Sequence, residues 1–403
     1  MKILWLCNMI PGDVKKAITG KEGNGLWVDH VLADLRREED LSIRILCPDA
    51  VEQSGVLDEH CSYATFTRKA PYQYLTENEA RFRSQLQEFA PDVIHIWGTE
   101  YAHTLAMVRA AQAEVFLDRV VISIQGLCSI YARHFAEGVP SGTVHGMTLR
   151  DLLRQDNLSQ QRKKFVRRGE LEIQALEKVS HVIGRTCWDR ACTQQLAPNA
   201  CYHFCNETLR ERFYRGTWQY ENCRKYRIFA SSCVYPIKGF HYLLEAFAQV
   251  LKTYPQATLS VPGKNYLQVN ALHRNSYQKY LAKMTRQYGL EDKIEFLGSL
   301  DAEGMRRAYL EANVFTLPST IENSPNSLGE AMLLGLPCVA ADVGGVSTMM
   351  KHDTEGFLYQ GTAPYMLAHY IREVFAMEAE AENMGFAAKH HAQRTHDPEE
   401  NCN

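Results

Sequence analysis

The sequence predicts an α/β protein built of two doubly wound, parallel-sheet domains. Three observations predict it. Short apolar runs of buried-strand type recur along the chain, helical segments separate them, and they fall into two sets on either side of one polar stretch, roughly Asn206 to Tyr226. Strands alternating with amphipathic helices imply parallel sheets. At 403 residues there is enough chain for two such domains of ordinary size.

In order, the strands expected in the first half are Ile3–Leu6, Ile43–Leu46, Val93–Trp97, Val120–Ile124, Val182–Gly184 and Ala200–Phe204. Those of the second half are Arg227–Ala230, Thr258–Val261, Ile294–Leu297, Val314–Leu317 and Cys338–Ala341. This divides the chain into a domain over 1–210, an ordered aromatic and charged linker over 211–225, and a domain over 226–403. From Met377 the chain is helical and charged, and Asp397-Pro398-Glu399-Glu400 reads as a helix start, so a final helix is expected beyond the last residues.

Hydrophobic content of 45%, charged content of 23% and a net charge of −3 are those of a soluble globular protein with no nucleic-acid partner. No apolar run approaches the ~20 residues of a membrane span. The opening "MKILWLCN" runs into Pro11-Gly12 and reads as a first strand rather than a signal peptide. Twelve scattered cysteines without an export signal are expected to be reduced thiols of a cytoplasmic protein. Cys187, Cys192, Cys201, His203 and Cys205 cluster, and "ACYHFC" alternates like a strand, sending Cys201, His203 and Cys205 to one face. Their spacing matches no familiar zinc pattern, so they are read as packed small hydrophobes, with no metal and no cofactor expected.

The most informative run is "PSTIENSPNSLGEAMLLGLPCVAADVGG". Ser324-Pro325 reads as an N-cap followed by proline at the first helical position. Leu328, Met332 and Leu333 give the helix an apolar face, and Gly335-Leu336-Pro337 stops it. With a strand before and after, the helix N-terminus opens at the carboxyl end of a sheet, where its free N–H groups form an anion site. Carboxylates beside an anion repel it unless they face another part of the ligand. Glu322 and Glu330 therefore suit hydroxyl groups flanking a phosphate, the outline of a nucleotide sugar. Taken singly, each is only an acid near a helix macrodipole.

That segment resembles the Glu-x7-Glu signature of family 4 glycosyltransferases, retaining enzymes of the two-domain GT-B fold, two Rossmann-like domains facing a cleft. The resemblance implies that Glu322 holds hydroxyls of the transferred sugar, Glu330 the ribose, and the backbone from Asn326 through Ser327 to Leu328 the diphosphate, with Ser324 beside them. A second segment, "IFASSCVYPIKGFHYLLEAFAQVLKTYP", resembles the family's donor loop. In it Lys238-Gly239 matches the Lys-Gly, and Lys238 would neutralise the leaving diphosphate. The family's arginine near Ser231–Cys233 is absent, and Lys264 after "LSVPG" is the candidate to compensate. A third segment, "GRTCWDRACTQQLAPNACYHFCNETLRERFY", resembles the end of the N-terminal domain in capsule and exopolysaccharide glycosyltransferases. The plain readings there are packing for Trp188 and a surface place for Arg185.

In the first half, "PDVIHIWGTEY" and "VVISIQGLCSIYARHF" each end a strand in a polar turn, where ligands of doubly wound sheets gather. Relatives in the wider family carry His-Gly where this chain has Gln125-Gly126, so Gln125 is a candidate donor contact. Gln can hydrogen-bond a hydroxyl but carries no charge. His95 reads as a satisfied core histidine. Gly20, Gly23 and Gly25 have the wrong order for a dinucleotide fingerprint, so NAD is not expected. Gly23-Asn24-Gly25 resembles the N-terminal loop that approaches donor phosphates, which makes Gly25 a candidate. Arg162, Lys163, Lys164, Arg167 and Arg168 lie on one expected helix, either a solvated face or a contact with the anionic inner face of a membrane.

The resemblance thus implies a metal-independent, retaining glycosyltransferase of cell-surface polysaccharide biosynthesis. It would move a sugar from a nucleotide-sugar donor, a UDP-sugar by resemblance, to a glycan or lipid-linked acceptor. The alternatives are a GT-B protein that binds a nucleotide sugar without transferring it, and an epimerase or phosphorylase on the same fold.

Overall fold

The expected strands of the first half all form. With two more they make an eight-stranded sheet of β1 (Lys2–Leu6), β2 (Ser42–Asp49), β3 (Ser54–Val56), β4 (Cys61–Thr67), β5 (Val93–Trp97), β6 (Val120–Ser123), β7 (His181–Gly184) and β8 (Cys201–Phe204). Those of the second half form too, as β9 (Arg227–Ala230), β10 (Thr258–Val261), β11 (Ile294–Phe296), β12 (Val314–Leu317) and β13 (Cys338–Ala341), joined by β14 (Phe357–Tyr359). This computed structural model describes residues 1–21 and 27–402; Gly23, Asn24 and Gly25 lie outside the described residues.

The sheets belong to two compact units. One takes Met1–Ala132, Lys164–Thr208 and Asp397–Asn403; the other takes Arg133–Lys163 and Leu209–His396. The second unit's share of the first half is tied down by named bonds. Ser276 N–H donates to the Asp151 carboxylate at 2.9 Å, and His241 Nε2 lies 3.0 Å from the Glu137 carbonyl.

Strand order in the first unit is β3-β4-β2-β1-β5-β6-β7-β8, parallel throughout except for the β3–β4 pair. In the second unit it is β11-β10-β9-β12-β13-β14, all parallel. β9, β12 and β13 are buried at every residue, as expected of strands covered on both faces. Each order reverses once, between β1 and β5 and between β9 and β12. At a reversal the loops leaving adjacent strands turn to opposite faces and open a crevice at the carboxyl ends. Both crevices hold functional candidates.

Candidate active site

At the second unit's reversal, glycines bring three loops together. After β9 the chain makes a short turn, Pro236–Lys238, capped by Gly239 at φ +63°. A Cβ on Gly239 would stand 1.7 Å from the Pro318 carbonyl oxygen, so only glycine lets this loop lie against the one leaving β12. Thr320 N–H then donates to the Ile237 carbonyl at 2.8 Å. The loop after β13 closes from the other side. A Cβ on Gly344 would stand 1.9 Å from the Glu322 carbonyl, to which Gly345 N–H donates at 3.1 Å.

Lys238 and Glu322, 84 positions apart, meet here: Nζ lies 2.5 Å from Oε1. The Ser319 hydroxyl donates to the same oxygen at 2.7 Å. Glu322 is buried while Lys238 is about a third exposed, so the carboxylate is fixed and the ammonium has a path outward.

The helix after Glu322 runs Asn326–Leu334 and ends at Gly335 in the left-handed region, as expected. Its start differs by one residue. Pro325, in extended conformation, is the N-cap, while the Ser324 hydroxyl sits 3.5 Å from Met349 Sδ and caps nothing. Leu328 N–H donates to the Pro325 carbonyl at 2.9 Å, so it is already engaged. The first-turn N–H groups of Asn326 and Ser327 are those a helix cannot satisfy internally. Such N–H groups are the ones that an anion at this end of the helix would meet.

On the same helix Glu330 is buried and held by a two-pronged bond. Arg210 Nε and Nη2 donate to its two oxygens at 2.6 and 2.8 Å. Burial pushes the Glu330 carboxyl above its ordinary range, and Arg210 pulls against that. Each carboxylate oxygen keeps a second lone pair for a hydroxyl. Nothing local to "NETLRERF" marks Arg210 as a partner of Glu330; separation by 120 positions hides the pair. Lys264 is exposed at the end of β10, and its neighbour Gly263 lies near Cys233 of the loop after β9.

At the first unit's reversal lies a cavity of ≈ 280 Å³ lined by Asn8, Met9, Glu100, Tyr101, Gln125 and Arg168, among others. Asn8 Nδ2 donates to Glu100 Oε2 at 3.1 Å, and its Oδ1 lies 2.7 Å from His103 Nε2. Gly98, at φ +100°, makes room, since a Cβ there would overlap both Asn8 and Glu100. Burial pushes the Glu100 carboxyl up to about 7. Arg168 Nε donates to the Glu100 carbonyl at 2.6 Å and its guanidinium lies over Tyr101, so this member of the basic run turns to the cavity rather than to solvent.

Gln125 is locked. Its amide nitrogen donates to Glu207 and its oxygen accepts from Arg185 Nη2 at 3.1 Å, while Arg185 and Glu207 pair directly. Arg185 is therefore buried, not on the surface. The "GRT-x-WD" motif explains how: Thr186 caps the helix Cys187–Leu196, and Asp189 accepts from the N–H groups of Arg185 and Thr186. Turning Thr186 into the cap aims Arg185 inward. His95 lies 2.7 Å from the Ser123 hydroxyl and stacks on Trp97, a satisfied histidine whose pKa burial lowers to about 3. Among the described residues no helix is long and apolar enough to cross a membrane.

Comparison with known proteins bears on both halves. The family described as Glycosyl transferases group 1 matches residues 221–391. An uncharacterized glycosyltransferase of Methanocaldococcus jannaschii is 27% identical over 139 residues, 34% of this chain and 33% of that protein. A D-inositol 3-phosphate glycosyltransferase of Kribbella flavida is 28% identical over 167 residues, 40% of this chain and 38% of that protein. The chain thus spans little more than a third of the curated relatives it matches. Among solved structures, sucrose-phosphate synthase from Thermosynechococcus elongatus aligns with a TM-score of 0.73 at 16% identity, covering 100% of this chain and 96% of that one. HepE of Anabaena, in complex with UDP and glucose, aligns with a TM-score of 0.68 at 18% identity, covering 99% and 96%. At such identities the likeness shows the fold, and it spans the whole chain. Residues 221–391 thus match the group 1 glycosyl transferases, and the whole chain has the GT-B fold of the enzymes it aligns with.

Proposed function

We propose that the chain transfers a sugar from a UDP-sugar to a hydroxyl of a glycan or lipid-linked acceptor, with retention of anomeric configuration. The observation that carries this is the meeting of Lys238 and Glu322 beside a helix N-terminus at the strand reversal. A cation, a fixed carboxylate and unsatisfied N–H groups within one crevice match the diphosphate and sugar of a donor. The family match over 221–391 supports the reading, and HepE of Anabaena, solved with UDP and glucose, supports UDP as the nucleotide. In this proposal residues 226–403 hold the donor and 1–210 the acceptor. Glu322 orients sugar hydroxyls, Glu330 accepts from the ribose, and Asn326 and Ser327 N–H with Lys238 take the diphosphate, Lys264 adding charge.

Transfer breaks the bond from the anomeric carbon to the phosphate oxygen and forms one to the acceptor oxygen on the same face. The acceptor proton passes to the leaving phosphate, so no protein nucleophile is needed. The protein contributes position and charge. Where the acceptor is lipid-linked, the exposed Arg162, Lys163 and Arg167 would meet anionic headgroups, which salt-sensitive co-sedimentation with phosphatidylglycerol vesicles tests.

UDP release from a panel of UDP-sugars, with and without saccharide acceptors, tests the reading. Acceptor-dependent release giving an α-linked product from an α-linked donor supports it. Binding without turnover would make the chain a non-transferring nucleotide-sugar protein, and interconversion of the free donor would make it an epimerase. Glu322→Ala is expected to lower kcat more than donor affinity.

A further inference from the structure

The edge of the first unit's sheet carries a cluster that the transfer reaction does not use. β7 and β8 run parallel with His181 opposite Cys201 and Ile183 opposite His203. Side chains alternate along a strand and register partners share a face, so His181, Cys201 and His203 project from one side of the sheet. Tyr202, between them, points to the other side, where its hydroxyl bonds Asp189. β8 is the last strand, and Cys201 and His203 are exposed. The packing expected for Cys201 is not what the strand provides, and Cys187 is exposed too.

The three ligand atoms, two imidazole nitrogens and a thiol sulfur, all lie within 4.8 Å of one another. His181 Nδ1 and His203 Nε2 are 3.0 Å apart. Two nitrogens bound to one tetrahedral zinc at ~2.0–2.1 Å stand about 3.3 Å apart, and a nitrogen and a sulfur about 3.5 Å. Small side-chain rotations suffice. The backbone needs none, because the ladder already sets the spacing. His181 and His203 also line a cavity of ≈ 510 Å³ with Asp92 and Asp118, which leaves room on the open side for a water or an exogenous ligand.

We infer that His181, Cys201 and His203 form a three-ligand site for a zinc-type divalent transition metal, its fourth position open. Imidazole and thiolate select zinc over the oxygen-seeking magnesium and calcium. Local spacing hid the site, because its third ligand lies twenty positions upstream and only strand register brings it in. His181 and Cys201 begin their strands, so the site sits at the amino ends of the sheet, away from the carboxyl-end cavity around Glu100.

The test uses the full chain, freed of metal by a chelator and titrated with Co2+ and then Zn2+. One equivalent of Co2+ should raise a thiolate-to-metal charge-transfer band that Zn2+ bleaches. Cys201→Ser should abolish the band. His181→Ala and His203→Ala should each weaken binding by about tenfold or more, at least the effect of losing an outer-sphere partner. Cys187→Ser, an exposed cysteine outside the cluster, should change nothing. Circular dichroism matching the parent would show that each variant is folded. No charge-transfer band in the parent, or a band that survives Cys201→Ser and disappears with Cys187→Ser, overturns the site. Glycosyl transfer by Cys201→Ser should equal that of the parent, so this result and the transferase reading stand or fall separately.

Discussion

Lys238 Nζ lies 2.5 Å from Glu322 Oε1, joining the loop that leaves β9 to the loop that leaves β12. The pair is asymmetric: the acid is buried and also bonded by Ser319, while the base is partly open to solvent. A donor diphosphate would compete with Glu322 for the ammonium. Thermal unfolding of Lys238→Met, Glu322→Gln and the double variant is therefore expected to show a coupling of about 0.5–3 kcal/mol, the range for residues in direct contact. Saturating UDP should shrink that coupling, because the lysine then has a second partner. An unchanged coupling with UDP bound would place the diphosphate elsewhere.

Arg210 and Glu330 make the stronger structural commitment. Both oxygens of a buried carboxylate are held by one guanidinium, and a lysine cannot reproduce that fork. Arg210→Ala leaves the acid unpaired, at a cost of about 3 kcal/mol, the lower end for a broken buried pair because Arg210 is itself partly exposed. For a unit of this size that is roughly 6–12 °C in Tm. Arg210→Lys should recover less than half of the loss. If Arg210→Ala melts with the parent, the pair is not holding the helix Asn326–Leu334 in place.

Gly239 and Gly289 separate backbone strain from steric blockage. Both are left-handed, at φ +63° and +65°, but a Cβ on Gly289 meets nothing within 4 Å, while one on Gly239 runs into the Pro318 carbonyl. Gly289→Ala should cost only the left-handed penalty, about 1–2 kcal/mol. Gly239→Ala should cost clearly more and should abolish transfer, because the β9 loop must lift off and carry Lys238 from Glu322. Equal melting shifts for the two variants would contradict the interlocked loops.

What could be read from the sequence follows from the range of each signal. β9, β12 and β13 are continuous apolar runs, and their ends placed Lys238 and Glu322 at the mouth of one sheet. β4 escapes a local pattern because Cys61-Ser-Tyr-Ala-Thr-Phe-Thr mixes small polar residues into a buried strand, and β14 because three residues make no pattern. The partners were not legible. Arg210 reaches Glu330 across 120 positions, and Arg185 turns inward only once Thr186 caps a helix. Such pairings are properties of strand order and register, which a local window does not contain.

Glu100 yields the clearest pH dependence. Burial raises its carboxyl from an ordinary 4.5 to about 7, with the Glu172 carboxylate adding to the rise and Arg168 opposing it. The folded chain therefore binds this proton more tightly than the unfolded chain. The stabilisation is complete below about pH 4.5 and is lost as pH rises through 7. A rise of that size corresponds to about 3 kcal/mol, and the group's partial exposure at the cavity wall reduces that. Glu100→Gln keeps the shape and cannot ionise. Its Tm should match the parent's near pH 4.5 and exceed it increasingly up to pH 8, where the parent must hold a charge in the cavity. An acceptor bound against Glu100 should shift the step, upward if it accepts the proton's hydrogen bond and downward if it brings a cation. Parallel Tm curves for parent and Glu100→Gln from pH 4.5 to 8 would mean that water already solvates the carboxylate and that the cavity is open at this wall.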